Sequence, residues 1–224
     1  MISFTVDGRP VDVADDGDSL LTVLREQLGL RSAKDGCSPQ GQCGCCTVLV
    51  DGQPRVACVT PVRRVRGRSI TTLDGLDRAE RDAWGEAFCA TGASQCGFCT
   101  PGIVLRLEAL RARGADLSEP APVEQALLAH LCRCTGWRTI LDAAAAVAAP
   151  DGTPVAVAPA GGAAAAGSAP AGGGRDLDAA ARRASIEGRA PQRVAPEVAL
   201  GRGGFADDTA PPDALVAVPD GAGG

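Results

Sequence analysis

Ten cysteines share this 224-residue chain with a single histidine, His130, and that ratio constrains the chain more than any other feature. They stand at Cys37, Cys43, Cys45, Cys46, Cys58, Cys89, Cys96, Cys99, Cys132 and Cys134. Met1–Pro10 has no basic stretch followed by an apolar core, so the chain reads as unexported and cytoplasmic. Disulfides are rare in that compartment, where clustered thiols bind metal or do redox work. Isolated buried cysteines are the blander reading, but tight groups set among glycines argue against it.

Composition removes other functions. The formal charge is −5, which gives no support to a nucleic-acid-binding surface. No apolar run approaches the ~18 residues of a membrane span. One histidine and no tyrosine exclude His-rich metal sites and chemistry needing a Tyr acid. Aromatic residues are 3 %, too few for a base- or sugar-stacking platform.

Along the chain the apolar period changes once. In residues 1–73, Ile2–Val6 alternates at period two, Asp7-Gly8 turns, and Val11 and Val13 resume the alternation. Ser19 is placed to cap a short helix through Leu20, Leu21, Val23, Leu24 and Leu28, stopped at Gly29. A Gly-studded cysteine loop, 36–46, leads to a second hairpin, Thr47–Val50 and Val56–Val59 around Asp51-Gly52. Hairpin, helix, loop, hairpin outlines a β-grasp, ferredoxin-like domain. Residues 74–149 carry a helical period in four segments: Leu76–Thr91, one opened by Thr100-Pro101, one opened by Pro122, and Trp137–Val147. Short loops between them predict a four-helix bundle, and the whole is α+β. In residues 150–174 only Asp151, Thr153, Val155, Val157 and Ser168 are not Ala, Gly or Pro, which reads as a flexible linker. Residues 175–224 are too poor in apolar residues for a core of their own and read as an extended arm that orders on a partner surface.

The cysteines form two groups. Cys37, Cys43, Cys46 and Cys58 give four thiolates, three from one loop and one from the next hairpin. Zinc ribbons present paired knuckles, whereas one wrapping loop plus a remote cysteine fits a [2Fe–2S] cluster. That dianionic group needs donors when buried; Gly36, Gly41 and Gly44 let backbone N–H groups turn towards sulfur, and Lys34 adds positive charge nearby. Cys96-x2-Cys99 precedes one predicted helix and Cys132-x-Cys134 follows the next, so a helical hairpin brings the pairs to one end of the bundle. A four-thiolate zinc site stays open for this group, although a single-residue spacing is less usual for zinc.

Three motifs, in order, resemble the small iron–sulfur chain of the molybdenum hydroxylases, which include xanthine dehydrogenase, aldehyde oxidoreductase and aerobic carbon monoxide dehydrogenase. They are Gly36-Cys37 with Cys43-Gly44-x-Cys46-Thr47-Val48, Gln95-Cys96-Gly97-Phe98-Cys99-Thr100-Pro101-Gly102, and Leu131-Cys132-Arg133-Cys134-Thr135-Gly136. The resemblance covers residues 1–148. It implies one [2Fe–2S] cluster in each domain: a flavin-side cluster on Cys37, Cys43, Cys46 and Cys58, and a molybdenum-side cluster on Cys96, Cys99, Cys132 and Cys134. It also implies that Gln95 touches the pterin of a molybdenum cofactor held by a large partner chain, with backbone around Cys134 beside the same pterin. FAD would sit in a medium partner chain, giving a heterotrimer or its dimer. The implied function is electron transfer from the molybdenum cofactor to FAD, the substrate being oxidised in another chain. A stand-alone ferredoxin-like carrier and a structural zinc protein are the alternatives.

The sequence departs from the family pattern in places. Five residues, not four, separate Cys37 from Cys43, and Cys45 stands where alanine is common. Ala129-His130 replaces Gly-Asn, Trp137 replaces Tyr and Thr139 replaces Pro. None removes a ligand; Cys45 and Cys89 read as structural thiols and His130 as a packed or hydrogen-bonded loop residue. Ser185–Arg189 and Gly201–Leu215, with its Phe205, Asp207 and Asp208, resemble the opening segment of the family's large subunit, which implies that the arm docks on that subunit.

Overall fold

The computed structural model describes residues 1–149, 176–179, 182, 186, 195–211 and 214. The linker expected over 150–174 lies outside the described residues. The fold is α+β, with a mixed five-stranded sheet and several helices.

Strand β1 (Ile2–Val6) turns at Asp7-Gly8 into β2 (Arg9–Val13), antiparallel, with Phe4 opposite Val11. Its period-two pattern buries Ile2, Phe4 and Val6 on one face. The predicted helix starts where Ser19 accepts a hydrogen bond from the Thr22 N–H; α1 (Leu20–Thr22) widens at once into a π-turn, Val23–Gln27. The second hairpin is β3 (Thr47–Val50) and β4 (Gln53–Val56). It ends earlier than its apolar run suggests: Ala57–Val59 is a 3-10 turn, so Cys58 lies just beyond the strand. A short strand that the pattern did not reveal, β5 (Ser69–Thr71), enters between β1 and β3, parallel to the first and antiparallel to the second. The sheet order is β2-β1-β5-β3-β4.

All four residues of β3 are buried because it lies between two cores. Val48 and Val50 face the core of the sheet with Leu20, Leu24 and Ile70, while Leu49 joins the helical core.

That second core is built by α2 (Arg78–Thr91), α3 (Thr100–Arg111), α4 (Pro120–Leu127) and α5 (Arg138–Ala148). Asp77 caps α2 by accepting from the Ala79 N–H, and Gly92 closes it in the left-handed conformation. Helix α3 begins without a side-chain cap: Thr100 is already helical, with Pro101 in the first turn. Helix α4 starts at Pro120, two residues before the proline that marked it in sequence. Trp84 and Phe88 of α2 meet edge to face at 6.0 Å. The Trp84 indole N–H donates to the Glu108 carboxylate at 2.9 Å, and Arg111 holds the same carboxylate, so the Trp84 and Glu108 polar atoms between α2 and α3 are paired.

Residues 195–211 depart from the expected extended form. They contain two short helices, α6 (Pro196–Ala199) and α7 (Ala206–Thr209), and Val198, Ala199 and Leu200 are buried against this chain's own body, beside α2. No described helix is long and apolar enough to cross a membrane.

Ile103, fully buried among the helices, and Leu128, 81 % exposed, test this partition. Ile103→Ala should lower unfolding free energy by about 2–5 kcal/mol. Leu128→Ala should change it by less than about 0.5 kcal/mol, read by urea denaturation of the purified chain.

Candidate metal centres

The structure brings nine of the ten cysteines together in two groups, eight of them as four pairs and Cys45 as a fifth thiol of the first group, beside that of Cys43. In the first, Cys37 and Cys43 come from the loop, and Cys46, just before β3, pairs with Cys58 of the 3-10 turn. Burial works against ionisation of Cys37, but the backbone N–H groups of Gln42, Gln40 and Cys43 outweigh it and hold its thiol down to about 7. The Gln40 N–H lies 3.3 Å from its sulfur. Cys46 accepts the Cys58 N–H at 3.5 Å; burial pushes its thiol up to about 12 despite that bond. Burial also raises Cys43, which takes the Cys45 N–H.

In the second group Cys96 and Cys134 lie 3.6 Å apart, sulfur to sulfur. Cys99 and Cys132 are hydrogen-bonded to each other: the bond raises the Cys99 thiol, an effect that burial deepens, and lowers Cys132 to about 5. Thr135 Oγ1 and the N–H groups of Cys134 and Thr135 also favour the Cys132 thiolate. The pairs come from the loop before α3 and the loop between α4 and α5, as a helical hairpin requires. Among the described residues no three His, Cys, Asp or Glu side chains converge as they would on one mononuclear ion. Thiol pairs with N–H donors on the Cys37, Cys46 and Cys132 sulfurs fit an anionic iron–sulfur group, which these residues would hold.

Cys45 is buried with its thiol turned to the Cys43 carbonyl, and burial raises it far above its ordinary value. Cys89 is buried within α2. Gln95 is exposed, and its side-chain N–H donates to the Cys134 carbonyl at 2.9 Å, tying the two loops of the second group together.

The groups lie back to back across a narrow seam. The Leu131 N–H donates to the Cys43 carbonyl at 2.9 Å, joining one cysteine loop directly to the other. His130 is buried over Gly44, which has no Cβ; one added there would lie 2.4 Å from the ring, at a φ of +72° that other residues rarely adopt. The imidazole lies 3.3 Å from Thr47 Oγ1, and burial, reinforced by Arg106, lowers its pKa to about 4. Its Nδ1 has no hydrogen-bond partner, so His130 packs the seam as a neutral ring. Sequence reasoning placed His130 in a loop but missed this position, because the contact spans more than eighty residues of chain.

Residues 4–69 match the family described as a 2Fe-2S iron-sulfur cluster binding domain, and residues 72–145 match the [2Fe-2S] binding domain family. The chain is 38 % identical over 144 residues to the xanthine dehydrogenase iron-sulfur-binding subunit of Escherichia coli, spanning 63 % of this chain and 89 % of that one. It is 41 % identical over 144 residues to the aldehyde oxidoreductase of Megalodesulfovibrio gigas, spanning 62 % of this chain and only 16 % of that longer protein. Among solved structures, quinoline 2-oxidoreductase from Pseudomonas putida 86 superposes with a TM-score of 0.58 at 38 % identity, over 66 % of this chain and 92 % of the matched one.

The seam can be tested at Gly102, in the first turn of α3, where an added Cβ would lie 2.2 Å from the Gly44 carbonyl. Glycine to alanine in a helix ordinarily stabilises by up to ~1 kcal/mol. Here the sign should reverse: Gly102→Ala should destabilise by more than ~1 kcal/mol in urea denaturation, because backbone must move to admit the methyl group.

Proposed function

This chain belongs to the iron–sulfur subunits of the molybdenum hydroxylases, and from that premise we propose that it relays electrons from a molybdenum cofactor to FAD, both held by partner chains. The observation that carries the reading is the pairing of eight thiols into two groups linked across the seam by the Leu131–Cys43 hydrogen bond. Cys37, Cys43, Cys46 and Cys58 would hold one [2Fe–2S] cluster, and Cys96, Cys99, Cys132 and Cys134 the other. Such a group, when bound, takes up and releases single electrons.

The chain's own residues supply the rest. Residues 1–73 act as the ferredoxin-like domain and 74–149 as a four-helix domain, each positioning one quartet at the shared face. Backbone N–H groups at Cys37, Cys46 and Cys132 stabilise charge on sulfur, and burial of Cys43, Cys46 and Cys58 keeps water away. The route between ligand loops is short: from Cys132 through the backbone to Leu131 N–H, then across 2.9 Å to the carbonyl of Cys43. Gln95, exposed beside Cys134, is the proposed contact to the pterin, which places the molybdenum-binding large chain at this end. The FAD-binding chain is proposed to sit on the side of the Cys37 group, in a heterotrimer or its dimer in the cytoplasm.

Purified chain should contain about four iron and four acid-labile sulfide, as two clusters of four thiolates each require. Cys46→Ser and Cys134→Ser should each roughly halve both, while Cys45→Ala should leave both unchanged. Zinc without sulfide, or loss of iron in Cys45→Ala equal to that in Cys46→Ser, would overturn the assignment.

A further inference from the structure

We propose that Arg25 and Lys34 form a built receptor for a peptide carboxylate, filled by this chain's own segment 195–209 through Phe205 and Asp208. The inference concerns the docking of that segment and stands apart from the electron relay. Both cations are buried, Arg25 at 5 % and Lys34 at 1 % exposure. Each is aimed by backbone carbonyls: Arg25 donates to Ala33 at 2.9 Å, and Lys34 to Arg31 and to Gly201, the latter at 3.1 Å. Both converge on one carboxylate, with Arg25 at 2.9 Å from Asp208 Oδ1 and Lys34 on Oδ2. Burial and the neighbouring Arg25 both work against the charge on Lys34, and the Asp208 carboxylate between the two cations favours it.

The remaining contacts read the rest of the segment. The Phe205 ring meets Phe98 edge to face at 5.1 Å, and the Lys34 ammonium lies 5.4 Å from its centroid. Gly97 has φ +78°, and the Val198 carbonyl fills the space its Cβ would need, at 2.1 Å. Leu200 and Pro196 pack where α2 carries Gly85. A missing side chain on the body at two successive contacts, an aromatic notch and a dicationic socket make up a peptide-binding face. The ligand it selects is a short peptide with an aromatic ring and a carboxylate one helical turn apart, Phe-x-x-Asp, preceded by a small apolar turn. With Gly203 against the Cys96 carbonyl, the docked segment also covers the outer side of the Cys96–Phe98 loop.

Hydrogen exchange on the full chain tests this at the amides of Leu200, Gly201 and Arg202, which donate within the segment to Pro196, Val198 and Glu197. Asp208→Asn should speed their exchange at least ~tenfold, the loss expected for a charge-assisted pair, while amides of α2 and α3 stay as slow as before. A fluorescently labelled peptide of residues 195–209 should then bind the Asp208→Asn chain at least ~tenfold more tightly than it binds the unaltered chain, whose socket is already filled. The same peptide carrying Asp208→Asn should lose that binding. Unchanged exchange in the Asp208→Asn chain, or equal binding by both peptides, would overturn the receptor. Lys34→Met introduced into the Asp208→Asn chain, checked for intact exchange in α2 and α3, should abolish peptide binding; retained binding would likewise refute it.

Discussion

Burying thiolate charge is the constraint on which the rest of this structure depends. Two groups of four sulfurs lie within one small body, and each anionic sulfur needs donors or it stays protonated. The chain meets the need with backbone. Amides from Gln40, Gln42 and Cys43 serve Cys37, those of Cys134 and Thr135 serve Cys132, and Cys58 serves Cys46. Loops that turn so many N–H groups inwards have few side chains to pack, and they are held by what surrounds them: β3 on one side, α3 on the other, and the neutral His130 ring between.

Because β3 belongs to two cores at once, the sheet and the helices are not independent supports. Val48 and Val50 tie it to one and Leu49 to the other, so the loop ending at Cys46 and the helix following Cys99 are fixed to the same strand. The Leu131–Cys43 hydrogen bond and the close approach of Gly102 to the Gly44 carbonyl complete that coupling. Precision at the seam arises from backbone contacts that admit no extra atom, which is how rigid positioning of two centres is achieved without a large core.

Much of this was legible in the sequence because the signals are local. Period-two alternation located β1, Ser19 located the start of α1, and cysteine spacing grouped the thiols that lie together in the fold. What was not legible depends on distance along the chain. Strand β5 has three residues with a single buried one, Ile70, and exists only because β1 and β3 leave a gap for it. Cys58 read as part of a strand, since Val56–Val59 is apolar throughout, yet the backbone turns at Ala57 to bring the Cys58 N–H to the Cys46 sulfur. The segment 195–209 read as extended because its anchors are buried cations far upstream; nothing in its own composition reveals that Lys34 and Arg25 await Asp208.

The central claim is that two separate dinuclear centres occupy one chain. Electron paramagnetic resonance of dithionite-reduced, anaerobically prepared protein tests it most directly, since each reduced [2Fe–2S] cluster carries one unpaired spin. The account predicts about two spins per chain, resolved as two different sets of g values because the sulfur environments differ. A single signal integrating to about one spin, or a diamagnetic protein containing zinc, would contradict it.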